Sequence, residues 1–359
     1  MKRCVQLAKN GLGTANPNPL VGSVLVYKNI VIGEGWHYKA GQAHAEVHAI
    51  ANAQTNAVTH EIQEREGISS IKKLISRATL YVSLEPCSHV GKTPPCADLI
   101  ITKNIQNVVI GSIDPNPKVA GNGIQKLRTA GCNVTIGVLE KTCIELNKRF
   151  FTFHQQKRPY VFLKWAESAD GFIAPLDTQR STKKEPIWIS NIYSRQLVHK
   201  LRTTEQAILV GTNTVTDDNP SLTAREWAGS NPWRVVIDRH LKLSNEASIL
   251  DREANTIIIT EKEKNDNNNL FYEKIDFSKD LAPQICNTLY RYEIQSLIIE
   301  GGKKTLQTFI DSQYWDEALV FRGNTNFKGG ITIPKFKGTQ VSKKVIKTDT
   351  LQQFKNNQN

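Results

Sequence analysis

The chain has 359 residues, 39% apolar and 22% charged. It is too long for one ordinary core of ~250–300 residues and too apolar for wholesale disorder. Lysine and arginine outnumber aspartate and glutamate by 46 to 34, a net charge of +12 that suits nucleic acid and phosphorylated small molecules equally; no long block of like charges reads as a nucleic-acid arm, and charge alone does not decide the partner.

No apolar run approaches the ~18–20 residues of a membrane helix. The start, MKRCVQLAKNG, lacks the apolar segment and small-residue cleavage site of a secretion signal. A cytoplasmic protein without a membrane partner is expected, its oligomeric state open, a homo-oligomer included. The six cysteines, Cys4, Cys87, Cys96, Cys132, Cys143 and Cys286, are too sparse for a disulfide framework. Cys87 and Cys96 stand close together beside prolines and invite a metal; the other four read as small buried hydrophobes.

In chain order, residues 20–26 and 30–35 read as strands joined by a turn at Lys28-Asn29. Residues 44–53 read as a helix, 79–84 as a buried strand, and 97–103 as a helix after Pro94-Pro95. Strand 108–113, helix 124–130 ended by Gly131, strand 134–138 and helix 140–150 follow. Strands alternating with helices predict an α/β layer sandwich. The polar, charged segment 55–77 is expected to be a surface insertion. Polar FHQQKR at 153–158 precedes Pro159 and sets a boundary between domains 1–152 and 153–359. Beyond it, strands 160–166, 207–210, 234–237, 256–259, 296–300 and 318–321 alternate with helices 190–202 and 305–312, and 261–269 reads as a charged, Asn-rich loop.

The chemistry of the first half lies in His44-Ala45-Glu46 at a helix start and in PCSHVGKTPPC from Pro86 to Cys96. A catalytic zinc takes three protein ligands and leaves one position open for water, whose pKa it lowers to ~7. One histidine and two thiolates, each next to a helix start, supply that set. Glu46, two residues past the histidine, can shuttle a proton from that water to a leaving amine. The pattern matches the H-x-E and P-C-x-x-C signature of zinc deaminases, except that eight residues rather than two separate the cysteines. A structural zinc with His48 or His89 as fourth ligand is the plainer alternative, and an unrelated helix start the plainest.

At these residues the sequence resembles the bifunctional deaminase/reductase family of riboflavin biosynthesis, along nearly the whole chain. That family's N-P-N-P-x-V-G, H-A-E and P-C-x-H-x-G-[RK]-T-P-P-C segments appear as NPNPLVG at 16–22, HAE at 44–46 and Pro86 to Cys96. The long cysteine spacing is the family's own. The resemblance implies a cytidine-deaminase-like α/β/α sandwich, with one zinc on His44, Cys87 and Cys96, and Glu46 as proton shuttle. It places Asn18, His37, Lys92, Asp114 and Asn116 around a phosphorylated pyrimidine; Asn18 read alone is a turn residue before proline. Two departures stand out. The chain starts close to the first helix, which leaves a frayed first turn or a misassigned start as readings, and the 55–77 insertion is longer than usual.

The second half lacks G-x-G-x-x-G. It has Glu300-Gly301-Gly302 at a strand end leading into a helix, where paired glycines let backbone amides approach a phosphate; a tight turn is the bland alternative. KWAESADG at 164–171, GTNTVTDDNPSLTAR at 211–225 and Trp188-Ile189-Ser190 match the same family's reductase half, whose fold is similar to dihydrofolate reductase. By that resemblance Ala166, Trp188, Thr214, Asp218, Gly302, Lys303, Lys304, Thr305, Leu306, Gln307 and Thr308 border NADPH. Pro186, Arg202, Leu222, Arg225 and Glu300 border the reductase substrate, with Pro186 in place of a hydroxyl residue. Arg202 and Arg225 suit a phosphate, though each could be a surface ion-pair partner. Arg239 is the candidate for the 2′-phosphate of NADPH, against a plain surface turn; Lys303 and Lys304 are the reserve.

The function implied is two successive steps. The first is zinc-dependent hydrolytic deamination of 2,5-diamino-6-ribosylamino-4(3H)-pyrimidinone 5′-phosphate. The second is NADPH-dependent reduction of the ribose of 5-amino-6-(5-phosphoribosylamino)uracil to a ribityl chain. The rivals are a tRNA deaminase with an unassigned second half, and a binding protein with a decayed site, against which intact His44, Glu46, Cys87 and Cys96 stand.

Overall fold

In the computed structural model, which describes residues 1–89, 94–117, 119–176 and 187–357, Lys28 and Asn29 both take the left-handed conformation, with φ of 46° and 66°. A two-residue hairpin turn requires that. They join strands β1 (Gly22–Tyr27) and β2 (Ile30–Trp36), which pair antiparallel. The chain divides into two compact units, Met1–Gln156 and Lys157–Asn359.

The first unit adds strands β3 (Thr79–Leu84), β4 (Asn107–Ser112) and β5 (Asn133–Ile136) to give the sheet order β2-β1-β3-β4-β5. β1 runs antiparallel to β3, and β3, β4 and β5 run parallel. Eight helices are described: α1 (Lys2–Ala8), α2 (Ala45–Thr55), α3 (Ala57–Arg65), α4 (Ile71–Ser76), α5 (Cys96–Thr102), α6 (Asn122–Thr129), α7 (Glu140–Leu146) and α8 (Lys148–Gln156). The first turn of α1 is packed rather than frayed: Cys4 and Ala8 are fully buried, and Val5 N–H donates to the Met1 carbonyl at 3.1 Å.

Three expectations need correction. Segment 55–77 is not a surface insertion, because α3 and α4 bury Ile62, Ile68, Leu74 and Ile75 in the same core as Leu25, Leu80 and Val108. Its charges occupy only the outer faces of two short helices. The boundary expected after residue 152 falls after Gln156, because the first four residues of FHQQKR complete α8, whose Phe150, Phe151 and Phe153 are buried. The helix expected over 140–150 is two helices, α7 and α8.

The second unit has a nine-stranded sheet among its described residues. Its strands are β6 (Tyr160–Glu167), β8 (Ala207–Gly211), β9 (Trp233–Ile237), β10 (Thr256–Thr260), β11 (Leu270–Lys274), β12 (Ser296–Ile299), β13 (Glu317–Arg322), β15 (Thr339–Ile346) and β16 (Asp349–Lys355). A small separate pair joins β7 (Phe172–Pro175) to β14 (Gly330–Thr332). The order β11-β10-β9-β8-β12-β6-β13-β16-β15 is parallel through β13 and ends in an antiparallel hairpin. Helices α9 (Ile192–Thr204), α10 (Thr212–Asp218), α11 (Leu281–Arg291) and α12 (Lys303–Asp311) complete it. Asn191 caps α9 by accepting from Ser194 N–H, so the helix starts two residues later than expected. Val161, Leu163, Leu209, Val235, Ile257, Leu297, Ile299 and Phe309 form the main core. No described helix is long and apolar enough to cross a membrane.

If α4 is core, Leu74→Ala should destabilise the first unit by ~2–5 kcal/mol, as buried leucines do when truncated. Urea denaturation followed by circular dichroism measures it, and a change below ~0.5 kcal/mol would return the segment to the surface.

Candidate active sites

Three donors converge in the first unit. His44 is the N-cap of α2, and its Nδ1 lies 3.5 Å from Cys87 Sγ and 3.3 Å from Cys96 Sγ. Cys96 opens α5 behind Pro95, and its N–H donates to Cys87 Sγ at 3.3 Å. Cys87 starts no helix of its own; it follows β3 irregularly, and its sulfur reaches the positive end of α5. A tetrahedral zinc with bonds of ~2.0 Å to nitrogen and ~2.3 Å to sulfur has N···S edges of ~3.5 Å, so this donor set fits the ion. Among the described residues the cluster has three members, and neither His48 nor His89 joins it. His48 stacks on Tyr38 at 4.1 Å between ring centroids, and His89 is exposed. The donor set thus leaves one tetrahedral position open.

The two thiols titrate as a pair. Hydrogen bonds from Cys96 and His44 outweigh burial and pull Cys87 down to about 4. The sulfur so charged, together with burial, drives Cys96 upward. Zinc matches such a pair because it displaces the remaining thiol proton. Glu46, in the first turn of α2, is 3% exposed. Burial pushes its carboxyl up to about 7, and the nearby Cys87 sulfur acts in the same direction. That value suits a group that must both take and give protons near neutral pH.

Around this cluster the fold gathers further predicted residues. His37 Nδ1 lies 3.1 Å from the Ala43 carbonyl and therefore carries the proton, which leaves Nε2 to accept from Asn18 Nδ2 at 3.0 Å. Burial lowers the His37 pKa, so the ring is neutral. It meets His44 edge to face at 5.3 Å. Asp114, 7% exposed, is raised to about 6 by burial and accepts from Asn116 N–H at 2.7 Å. Lys92 lies outside the described residues. Sequence reasoning missed Glu85, a buried carboxylate two residues before Cys87; its one signal was an acid at the end of an apolar strand.

In the second unit, the carboxyl ends of β6, β8, β9 and β12 share one edge of the sheet, where open parallel sheets hold ligands. Glu300 follows β12 and, with 10% of its side chain exposed, lies between Arg202, at 2.8 Å, and Lys164, at 3.6 Å. Burial alone would raise its carboxyl, but the two cations hold it at about 2. Arg202 also donates to the Thr223 carbonyl at 3.0 Å, so it is an ion-pair partner, though a buried one. Among the described residues, Arg202 Nε is buried without a hydrogen-bond partner, which fits a further polar ligand. Lys164 was missed: it stands in the matched KWAESADG segment, but its burial, which lowers its pKa, is a tertiary fact. Leu222, in the left-handed region at φ 57°, is 2% exposed, and Arg225 donates to Ser221 Oγ at 3.0 Å.

The glycine turn is built for close approach. A β-carbon on Gly301 would come within 2.6 Å of Val210 Cα, and one on Gly211 within 2.7 Å of Thr305 Oγ1. Gly302, the N-cap of α12, has φ 26° and lies against Thr214. A helix N-terminus approached by bare backbone fits a phosphate. The run from Lys303 onward does not share one face. Thr305 and Leu306 are buried, Lys303 reaches Thr332 Oγ1, Gln307 donates to the Lys335 carbonyl at 3.0 Å, and Thr308 donates to the Lys304 carbonyl at 3.0 Å. Ala166 lies on β6 and Asp218 ends α10. Trp188 is 52% exposed beneath the Arg195 guanidinium. Arg239, after β9, is half exposed and pairs with Glu261 at 2.7 Å. Pro186 lies outside the described residues.

Residues 1–112 match the family model of the cytidine and deoxycytidylate deaminase zinc-binding region, and residues 159–348 match the RibD C-terminal domain. The riboflavin biosynthesis protein RibD of Aquifex aeolicus is 40% identical over 334 residues, 89% of this chain and 85% of that protein. The chain belongs to the RibD family. Its Synechocystis relative is 42% identical over 308 residues, 84% of this chain and 77% of that one. Among solved structures, the Thermotoga maritima diaminohydroxyphosphoribosylaminopyrimidine deaminase/5-amino-6-(5-phosphoribosylamino)uracil reductase is 37% identical with a TM-score of 0.84, covering 99% of this chain and 97% of that one. Acinetobacter baumannii RibD is 30% identical with the same TM-score and coverage. This family member is therefore a bifunctional enzyme of riboflavin biosynthesis, with a zinc-dependent deaminase region followed by an NADPH-dependent reductase domain. The tRNA deaminase alternative is displaced, because the half it leaves unassigned is a RibD domain.

The buried Glu300 pair makes acid stability testable. Its folded pKa of about 2 lies below the ordinary 4.5, so its stabilisation is complete above pH 4.5 and fades as the pH falls toward 2. Glu300→Gln should be less stable than wild type at pH 7 and lose less on acidification through that window. Urea titrations of both proteins at pH 7, 4.5 and 3 measure it; parallel acid losses would place the effect elsewhere.

Proposed function

We propose that His44, Cys87 and Cys96 hold one zinc per chain and that Glu46 carries the protons of the deamination. The observation that supports this most is the convergence of one imidazole nitrogen and two sulfurs beside a buried carboxylate raised to about 7. Bound there, zinc supplies Lewis-acid activation of water at neutral pH. Glu46 takes one proton from the attacking water to the ring nitrogen beside the reacting carbon, and then moves the remaining hydroxyl proton to the exocyclic nitrogen. The C–N bond then breaks, ammonia leaves, and the carbon keeps the water oxygen as a carbonyl. Asn18, its amide N–H held by neutral His37, has Oδ1 to accept from a substrate N–H. Asp114 and Asn116 bound the pyrimidine, and Lys92 meets the ribose phosphate.

The substrates we assign are those in the Thermotoga relative's name: first the diaminohydroxyphosphoribosylaminopyrimidine, then 5-amino-6-(5-phosphoribosylamino)uracil. NADPH supplies the hydride for the second step. The protein's part there is to orient. The Gly302 turn and the start of α12 receive a cofactor phosphate, with Ala166, Trp188, Thr214 and Asp218 along its border. Arg202, Glu300, Leu222 and Arg225 bound the sugar-phosphate substrate. We assign the enzyme to the cytoplasm and to phosphorylated small molecules rather than nucleic acid; the +12 charge suits phosphates, and its dispersed lysines form no nucleic-acid arm.

The purified chain should carry about one zinc by elemental analysis. Glu46→Gln should keep it while ammonia release falls by ~10²–10⁴-fold, the usual contribution of an acid/base group. NADPH consumption with the uracil substrate should survive. Near-normal ammonia release from this variant would remove Glu46 from the chemistry.

Cofactor choice tests Arg239. If its guanidinium leaves Glu261 for the 2′-phosphate, Arg239→Ala should raise KM for NADPH roughly tenfold to a hundredfold, the worth of a charge-assisted contact of ~1.5–3 kcal/mol, and leave NADH use alone. Steady-state kinetics with both cofactors decides. An unchanged preference would move the 2′-phosphate to Lys303 and Lys304.

A further inference from the structure

Glu85 stands between the zinc ligand Cys87 and the end of β3. Its own N–H donates to the Ser112 carbonyl at 2.9 Å, which carries the β3–β4 ladder one residue past the strand. Its carboxylate is 4% exposed and accepts four backbone N–H groups from the segment after β4: Asp114 at 3.3 Å and Gly121 at 3.0 Å on one oxygen, Gly123 at 2.9 Å and Ile124 at 3.2 Å on the other. Three of these donors are the N-cap and the second and third residues of α6, where N–H groups have no partner within the helix. Gly121, the N-cap, has no side chain to satisfy them, so Glu85 caps the helix from another element. The next residue makes the same union from the backbone side. The Pro86 carbonyl lies where a β-carbon on Gly123 would sit, at 2.0 Å.

The segment that presents Cys87 and the segment that presents Asp114 and Asn116 are thus tied by a single side chain. We propose that Glu85 is a positioning residue of the deaminase, holding the zinc ligand Cys87 and the pyrimidine-binding residues Asp114 and Asn116 in one rigid frame. The proposal rests on the zinc and substrate roles given above. Glu85 touches neither the donor cluster nor, on this view, the substrate; it acts through backbone. A glutamine would turn an NH₂ group toward two of the four N–H donors and leave them unsatisfied in a buried place, which loosens one half of the frame without altering any ligand.

The test uses the full-length, zinc-loaded chain in wild-type, E85Q and G123A forms, with two readouts for the deaminase and one for the fold. Zinc transfer to a coloured chelator in excess should be at least tenfold faster in E85Q than in wild type. Deaminase kcat/KM should fall tenfold to a hundredfold, with KM carrying part of the loss because Asp114 and Asn116 shift. NADPH-dependent reduction by the same molecules should be unchanged. G123A, which forces the Pro86 carbonyl away from α6 while keeping the carboxylate, should change in the same direction. Wild-type zinc transfer and kcat/KM in both variants, with reductase turnover intact, would overturn the proposal while leaving the zinc reading whole. If E85Q also loses reductase turnover, G123A decides: faster zinc transfer and lower deaminase kcat/KM with intact reductase turnover support the proposal, and wild-type values overturn it. A wild-type chain that carries no zinc would overturn both readings at once.

Discussion

Both sites depend on one constraint, the direction of parallel strands. Parallel neighbours end at the same edge, so their carboxyl-terminal loops are delivered side by side however far apart they lie in sequence. In the first unit that edge brings Glu85 and Cys87 after β3 next to Asp114 and Asn116 after β4. In the second it brings Gly211, Arg239 and Glu300 together from β8, β9 and β12. Helix starts then meet the same edge. The first turn of α2 carries Glu46 behind its cap His44, α5 opens on Cys96, and α12 opens behind Gly302. The N–H groups at those starts, which have no acceptor within their own helix, favour thiolate, carboxylate and phosphate alike.

The deaminase site was legible because its chemistry is written in reactive residue types at fixed spacing. Histidine, glutamate and two cysteines name a function before any fold is known. The reductase site is written in shape, and there the sequence is less direct. Gly301 and Gly211 matter for the atoms that a side chain would strike, and Lys164 matters because Glu300 lies beside it in a buried place. Neither fact has a local signature. Glu85 was invisible for a related reason: all four of its partners are backbone groups, which any sequence would supply.

The fold was read best where strands are apolar on both faces. β8, β10 and β12 are interior strands of the sheet, and their near-continuous runs of Ile, Leu and Val say so. The hairpin β15–β16 is mostly exposed or half-buried, with Lys343, Lys344 and Val345 outward, so it offers no alternation to read. Helices α3 and α4 hide their few buried residues among charges. Helix α11 has a regular stripe at Ala282, Ile285, Cys286 and Leu289, masked by Pro283, which the first turn of a helix tolerates.

The cradle at the start of α12 has a consequence for inheritance. A β-carbon on Gly301 would strike the backbone of Val210, one on Gly211 would strike the Thr305 hydroxyl, and Gly302 holds a backbone conformation that side chains disfavour. Every other amino acid is larger than glycine, so each missense change at these codons adds at least one carbon. Elsewhere in the core a lost methylene can be regained by a neighbour in a later generation. At Gly211 a smaller residue in place of Thr305 would make room, but at Gly301 the obstacle is the backbone of Val210, and the lineage can enlarge that position only by moving β8 away from the turn.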